Sequence, residues 1–519
     1  MKGLPAETDF IVIGAGVAGL RAAIELADAG RVLVLAKREV FSPQAQGNST
    51  PALSDEDEVI LHLQDTLIAG DSLCVPQAVK TLVEEGPERI EELISWGQHE
   101  RPKTKLVFET EASYSHSHVL RAPGESTGGE ILRALHAKVH SHKNISVLEF
   151  EFPTELLTED QRVTGVSLLN DKGLREDVAA SAVLLATGGM GQIYRNTTNS
   201  DSATGDGVAM AFRAGAELSD MEFIQFYPTA LYLKKAPRLL LSEALRREGA
   251  FLRNFEMDRF MAKYHPLAEQ APADVVSRAI MHEMEVSRAK DPFVYLDMTH
   301  MNAARVQKRF PRIYAACMKH NIDVTEDMIP IRPAAHFAIG GVRSDLEGKT
   351  SLAGLYAAGE VAATGVHGAN RLPSNALLEA LVYGARAGKA TREELKHARK
   401  SSIREKKAAS QNGPVDAGIE DLIGQIQDVM WKNAGIVRTR SGLQEALRVL
   451  EGLAQRVAHP RTRRSQEAAN LHLAALLVAR SALAREESRG AHYRIDYPAR
   501  DDKKFLKHSL LKGESVRFV

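Results

Sequence analysis

Apolar residues fall into short solid runs near the start of the chain and into three- and four-residue spacings further on. Phe10 to Ile13 is an unbroken apolar run, and Arg31 to Ala36 (RVLVLA) is nearly one. Strands buried on both faces, as in a parallel sheet, read this way. Between them Leu20 to Ala29 is Ala-rich and helix-like, and His62 to Asp71, Pro76 to Trp96 and Glu130 to His140 also predict helices. Ile145 to Glu149 predicts a strand, Arg162 to Leu169 a strand of a small β-layer, and Ala182 to Ala186 a returning central strand. From about Glu222 to Pro333 short apolar runs alternate with charged and aromatic residues, without a βαβ repeat, which predicts an inserted domain. A strand ending in Gly359-Glu360 and a long helix over Ala376 to Lys389 then resume the earlier pattern. Arg392 to Gly418 is basic and polar, as linkers are. From Ile419 onward Leu, Ala and Arg recur at helical spacing, like a small bundle.

The first strand–helix junction carries the first chemical signal. Gly14, Gly16 and Gly19 form G-x-G-x-x-G with a strand before them and a helix after them, the context that a dinucleotide fingerprint requires. The first glycine permits the tight turn, the second lets a diphosphate approach the backbone, and the third lets helix and strand pack closely. Ala15, Val17 and Ala18 complete a helix N-terminus whose free N–H groups and dipole favour an anion. The second strand ends in Lys37-Arg38, where an acidic residue would normally hold the ribose. That contact must come from elsewhere, and Lys37 is expected near the adenosine or the diphosphate. Thr187-Gly188-Gly189 makes a second glycine-rich turn at a strand C-terminus, where open α/β sheets bind ligands. Asp206, at the opening of a helix within Asn199 to Gly215, suits either a cap or a cofactor contact, and spacing does not choose.

Composition narrows the classes. The 519 residues leave room for about three domains, and a net charge of −1 with 26% charged residues gives no electrostatic reason for a nucleic-acid or acidic-membrane partner. No apolar run approaches the ~20 residues that span a bilayer. The first strand comes within about ten residues of Met1 with no signal-peptide core, so a cytoplasmic location is expected. Cys74 and Cys317 form no C-x-x-C, so neither a metal site nor a disulfide is expected.

Four longer stretches resemble the succinate dehydrogenase/fumarate reductase flavoprotein family: ATGGMGQIYRNTTNSDSATGDGVAMAFRAGAEL, LSEALRREGAFLRN, IRPAAHFAIGGV and GLYAAGEVAATGVHGANRLPSNALLEALVYG. Within it the chain is most similar to the L-aspartate oxidase branch, including the tail EESRGAHYRIDYPARDD. The resemblance implies an α/β fold with a discontinuous Rossmann-type FAD-binding domain (1–221 and 338–404), an inserted α+β capping domain (222–337) and a C-terminal helical domain (405–519). It implies FAD contacts at Ala15, Gly16, Val17, Ala18, Lys37, Ser42, Gln46, Gly47, Asp206, Glu360 and Leu377, with Asn48 and Ala376 beside them. Relatives that bind FAD covalently use a histidine just before A-Q-G; here that residue is Phe41, so a non-covalent flavin is expected and an iron–sulfur partner subunit is not. The implied reaction is oxidation of L-aspartate to iminoaspartate, with oxygen or fumarate as acceptor, at the first step of de novo NAD synthesis. Association with quinolinate synthase is a further expectation, with no residue of its own behind it. A small dicarboxylate needs a cationic or hydrogen-bonding clamp at each end. His336 and Arg371 match the family's carboxylate-binding residues, Glu111 matches a glutamate near the substrate amine, and Ser242 and Glu243 match a Thr-Glu pair of the cap.

The departures from the family pattern gather at the chemistry. The family's Q-F-H-P-T reads Gln225-Phe226-Tyr227-Pro228-Thr229, and A-P-R-D reads Ala271-Pro272-Ala273-Asp274, without the arginine that transfers the proton. A-Q-G-G-I-A-A reads Ala45-Gln46-Gly47-Asn48-Ser49-Thr50-Pro51, E-G-G-H-S reads Glu111-Ala112-Ser113-Tyr114-Ser115, and the serine before Leu377 is Ala376. Loss of a general acid–base group typically costs about 10² to 10⁴ in rate. Three readings follow: an aspartate oxidase in which other groups, Arg247 foremost, replace the lost ones; an oxidoreductase for another small acid or amino acid; or a flavin-binding homologue with little activity. Arg278, the nearest downstream arginine, matches a separate family arginine.

Overall fold

The computed structural model describes residues 4–40, 56–98, 107–109, 119–121, 127–169, 175–234, 238–397 and 418–519. The expected strands Phe10–Ile13, Val32–Ala36, Ile145–Glu149 and Ala182–Leu185 lie side by side, and Leu355–Ala357, from far along the chain, completes a five-stranded parallel sheet. Their order across the sheet is Leu355–Ala357, Ala182–Leu185, Phe10–Ile13, Val32–Ala36, Ile145–Glu149. Successive side chains of a strand point to opposite faces, and the core divides accordingly. Ile11, Ile13, Leu33, Leu35, Val183 and Leu185 pack with Val166, Leu168 and Val178 of an antiparallel layer (Phe152–Glu159, Arg162–Leu169, Arg175–Ala179). Phe10, Val12, Val32, Val34 and Leu184 pack with Ala18, Ala22, Ala23 and Leu26 of the helix Val17–Leu26, and with Ala380 and Ala387 of the helix Asn375–Arg392. Both faces are covered, which is why these strands read as solid apolar runs. The expected helices are present with bounds moved by a few residues, at Glu56–Ala69, Pro76–Gln98 and Thr127–His140.

The middle of the chain forms its own four-stranded antiparallel sheet, ordered Ile224–Leu231, Ile329–Ala338, Val294–Asp297, Phe251–Arg253. Leu231, Leu245, Val276, Ile280, Leu296 and Ile331 share its separate core. The first pair shifts register between Gln225 and Phe226 and again between Tyr227 and Ala230. Such irregularities re-aim side chains beside sites, and here they fall on the residues that face the chemistry.

Ile419–Asn433, Arg440–Val457 and Arg463–Ala484 are the expected C-terminal helices. The tail differs from the helical expectation. Ser509–Lys512 and Ser515–Phe518 are strands, and the first pairs with Leu218–Ser219 in a five-stranded sheet that also holds Gly341–Arg343 and Ala362–Ala363. A buried ionic knot fixes this return. Arg485 donates to Glu222 at 2.6 Å and to Glu487 at 2.9 Å, and Arg489 pairs with Glu487 at 2.8 Å, all four side chains having no exposed surface. Among the described residues no helix is long and apolar enough to cross a membrane. Breaking a buried pair by removing one partner costs about 3–5 kcal/mol, because the other charge stays in low dielectric. Arg485→Met is therefore expected to lower the thermal unfolding midpoint by several degrees. Removing the exposed Arg195–Asp428 pair should leave the midpoint unchanged within error.

Candidate cofactor cavity and active site

The five parallel strands end along one edge, and a cavity of about 930 Å³ lies across it, within the range of small-molecule and cofactor sites. Gly14, Ala15 and Gly16 line it from the end of the first strand. Gly14 has a φ of +112°, and a Cβ there would stand 2.1 Å from the Ala186 carbonyl oxygen, so only glycine makes this turn. A Cβ on Gly16 would meet nothing within 4 Å: the face toward the cavity is open to a ligand. Val17 and Ala18 begin the helix behind it, and Gly19 packs against the Gly14 carbonyl. Thr187 and Gly188 line the same cavity, and the Thr187 hydroxyl is buried without a hydrogen-bond partner among the described residues. A cavity of this size, an anion-directed helix N-terminus and an orphaned hydroxyl together fit the FAD that the resemblance implies.

Lys37 also lines the cavity. Its ammonium donates to Thr204 Oγ1 at 2.6 Å and pairs with Asp206 and Glu467, each at 2.8 Å. Asp206 opens the helix Asp206–Arg213 but does not cap it: the cap residue is Gly205, without a side-chain bond. Its carboxylate instead accepts from Lys37, Thr204 and Asn470 (2.7 Å) and faces the cavity. Glu467, Arg463 and Arg464 line the cavity from the helical segment. Sequence reading missed these three, since only the fold brings a position about 430 residues from Lys37 beside it.

Beyond the second glycine turn stands the charged cluster. A Cβ on Gly189 would lie 2.1 Å from Glu360 Oε1, and that oxygen accepts from the Ala338 N–H at 2.9 Å. Arg371 is buried; its Nε donates to Gln225 Oε1 at 3.0 Å, and Gln225 Nε2 donates back to the Arg371 carbonyl at 2.8 Å. Its guanidinium lies 4.7 Å from the Phe337 ring centroid. His336, one residue earlier on the strand, has Nδ1 at 2.8 Å from Thr198 Oγ1, and its ring stands 5.5 Å from that of Tyr227. Burial, and then the nearby Arg371 charge, push His336 down to about 3, so it is neutral at physiological pH. Burial pushes Glu360 up to about 7, against the Ala338 N–H and Arg371, which favour its charged form. A neutral imidazole and a fixed guanidinium beside a carboxyl that ionises near pH 7 can hold a small carboxylate.

The remaining expected residues divide. Leu377 packs beside Ala15, Val17 and Leu20, and Ala376 beside Phe223 and Phe337. Ser242 and Glu243 lie just before the short helix Ala244–Arg247, with Glu243 paired to Arg246 at 3.4 Å. Arg247 is exposed, and its neighbour Arg246 turns inward to the Glu269 carbonyl at 2.6 Å. Ala273 is half-buried at the start of the helix Ala273–Val286. It borders a small cavity shared with Gln225, Asn370 and Arg278. Arg278 is committed to Asp274 at 2.8 Å and to the face of Tyr493. Ser42, Gln46, Gly47, Asn48 and Glu111 lie outside the described residues. Among the described residues no group of three or more His, Cys, Asp or Glu could hold a metal ion. Thr198 and Gln225 were overlooked, although a glutamine inside the apolar strand IQFYPTAL is itself a signal of a buried polar duty.

Residues 9–377 match the FAD binding domain family, and residues 424–518 match the fumarate reductase flavoprotein C-terminal family. An L-aspartate oxidase of Streptomyces coelicolor is 41% identical over 97% of this chain and 91% of its own length. One of Vibrio cholerae is 39% identical over 95% of this chain and 96% of its own. Among solved structures, a quinol–fumarate reductase with menaquinol molecules superposes with a TM-score of 0.87 at 30% identity, covering 99% of this chain and 97% of the other. Mycobacterium smegmatis Sdh1 in complex with UQ1 does so at 0.84 and 30%, covering 99% and 93%. Likeness sustained through both the nucleotide fold and the helical tail places the chain in the L-aspartate oxidase family, among the FAD-binding flavoproteins of the succinate dehydrogenase and fumarate reductase type.

Proposed function

We propose that this protein oxidises L-aspartate to iminoaspartate with non-covalently held FAD, oxygen or fumarate being the final acceptor, as the first step of de novo NAD synthesis in the cytoplasm. The observation that carries the reading is the buried Arg371, held by Gln225 and near a neutral His336. FAD, when bound, supplies the acceptor for the hydride that leaves the substrate Cα. Arg371 grips one substrate carboxylate with a pre-aimed planar fork. His336, kept in place by Thr198, offers a hydrogen bond to the other without adding a second buried charge. Glu360 sets how much of the Arg371 charge is left for the substrate. Iminoaspartate hydrolyses in water, so the reading extends to an association with quinolinate synthase, which consumes it; retention of one full-length enzyme on the other, immobilised, is the check.

A second reading rests on Tyr227 and Ala273. Tyr227 packs against His336 where the family places a histidine, and Ala273 cannot move a proton. A pocket so altered suits a different small acid.

Anaerobic addition of L-aspartate to the flavin-loaded protein separates the readings. Loss of the visible flavin absorbance is expected. Bleaching only by another acid supports the second reading, and a flavin that no tested acid reduces defeats both. Arg371→Leu should weaken binding of succinate, a dicarboxylate that lacks the amine of aspartate, by about 30-fold or more, since truncating a buried charge partner costs about 2–5 kcal/mol. Succinate affinity should also depend on pH. Below about 7 the protonated Glu360 adds no negative charge beside Arg371. As pH rises above it the new carboxylate cancels that charge and binding weakens several-fold. Titrations from about pH 6.5 to 8.5 should show this fall in the native protein and none in Glu360→Gln.

A further inference from the structure

Sheet order decides which part of FAD lies at which end of the cavity. The strands that end at Ala357 and Leu185 lie on one side of Phe10–Ile13, and those that end at Ala36 and Glu149 lie on the other. The diphosphate belongs over Gly14–Gly16, in the middle. Glu360, His336 and Arg371 gather beyond the first pair, so the reacting ring must lie on that side. Adenosine is left with the opposite side, where Lys37, Phe150, Phe152, Arg463 and Glu467 line the cavity.

Two residues stand out there. Phe150 has a φ of +64°, a left-handed conformation that bulky residues rarely hold and that clusters at ligand sites. The residue is 55% exposed although it lines the cavity, and no ring contact of Phe150 is found among the described residues. Arg463 lies in the C-terminal matched segment, outside the residues that match the FAD binding domain. It opens the helix Arg463–Ala484, donates to the Lys37 carbonyl, and stands 5.3 Å from the Phe152 ring and 3.8 Å from Glu467. Glu467, buried and paired with Lys37 at 2.8 Å, ties the helix to this wall.

We propose that Phe150 and Arg463 form the adenine subsite of the FAD site, which rests on the FAD reading above. The Phe150 ring is a stacking platform, and its left-handed backbone turns it to the cavity. Arg463 offers a planar cation that stacks on the base or donates to its ring nitrogens. Discrimination between FAD and FMN then depends on a residue of the helical segment.

The test uses the full chain freed of flavin and titrated with FAD and with FMN by flavin fluorescence. Phe150→Gly removes the ring and suits the backbone, because glycine holds positive φ without strain; its unfolding midpoint should equal or exceed that of the native protein. Phe150→Gly and Arg463→Ala should each raise the FAD dissociation constant by about 10- to 100-fold, the usual worth of stacking a base. FMN binding should be unchanged in both, and ADP should displace FAD from the native protein at lower concentration than it binds to the variants. FAD affinity within about twofold of native in either variant would overturn the assignment, and so would equal losses for FAD and FMN. A native chain that takes up neither flavin would overturn the FAD reading itself, and the subsite with it.

Discussion

Parallel pairing makes five strands end along one edge, and everything chemical in this protein is hung on that edge. Each strand delivers a short connection to the same row: the Gly14–Gly16 turn, Lys37, Phe150, Thr187-Gly188 and Glu360. The strand Leu355–Ala357 joins only after a whole inserted domain has been made. Without that last strand Glu360 would have no fixed place beside Gly189, and the link between nucleotide cavity and anion cluster would be lost.

The anion cluster shows how burial tunes chemistry with few residues. Arg371 cannot shed its charge, so its neighbours adjust to it. His336 gives up its proton, and Glu360 hovers near half-ionisation because burial and the guanidinium pull it in opposite directions. Gln225 is neutral and can hold Arg371 by both its side chain and its backbone without cancelling the charge. A carboxylate in that place would hold the arginine more tightly and leave nothing for a substrate.

Much of the frame was legible in the sequence because it rests on local signals: solid apolar runs for buried strands, helical spacing, and a glycine turn between them. What escaped depends on pairings across hundreds of residues. Ser509–Lys512 reads as nothing in particular until Leu218–Ser219 lies beside it. Asp206 looked equally suited to capping, and its partners Lys37 and Asn470 are what decide otherwise. Arg246 and Arg247 are indistinguishable as letters; one reaches the Glu269 carbonyl and the other is exposed because successive helix residues point about 100° apart. The pattern could name His336 and Arg371 as a pair, but not the threonine and glutamine that aim them.

The strand Ile329–Ala338 belongs to two places at once. Ile329 and Ile331 are embedded in the inserted domain and pair with Leu296 and Val294, while Ala334 to Ala338 run past Tyr227 and Gln225 to the anion cluster. About five residues, or roughly 17 Å of stiff ribbon, separate Ile331 from His336. A strand of this kind is shared framework: the backbone that carries His336 is anchored at Ile329 and Ile331 in the distant core. The inserted sheet and the anion cluster are thus parts of one continuous ribbon.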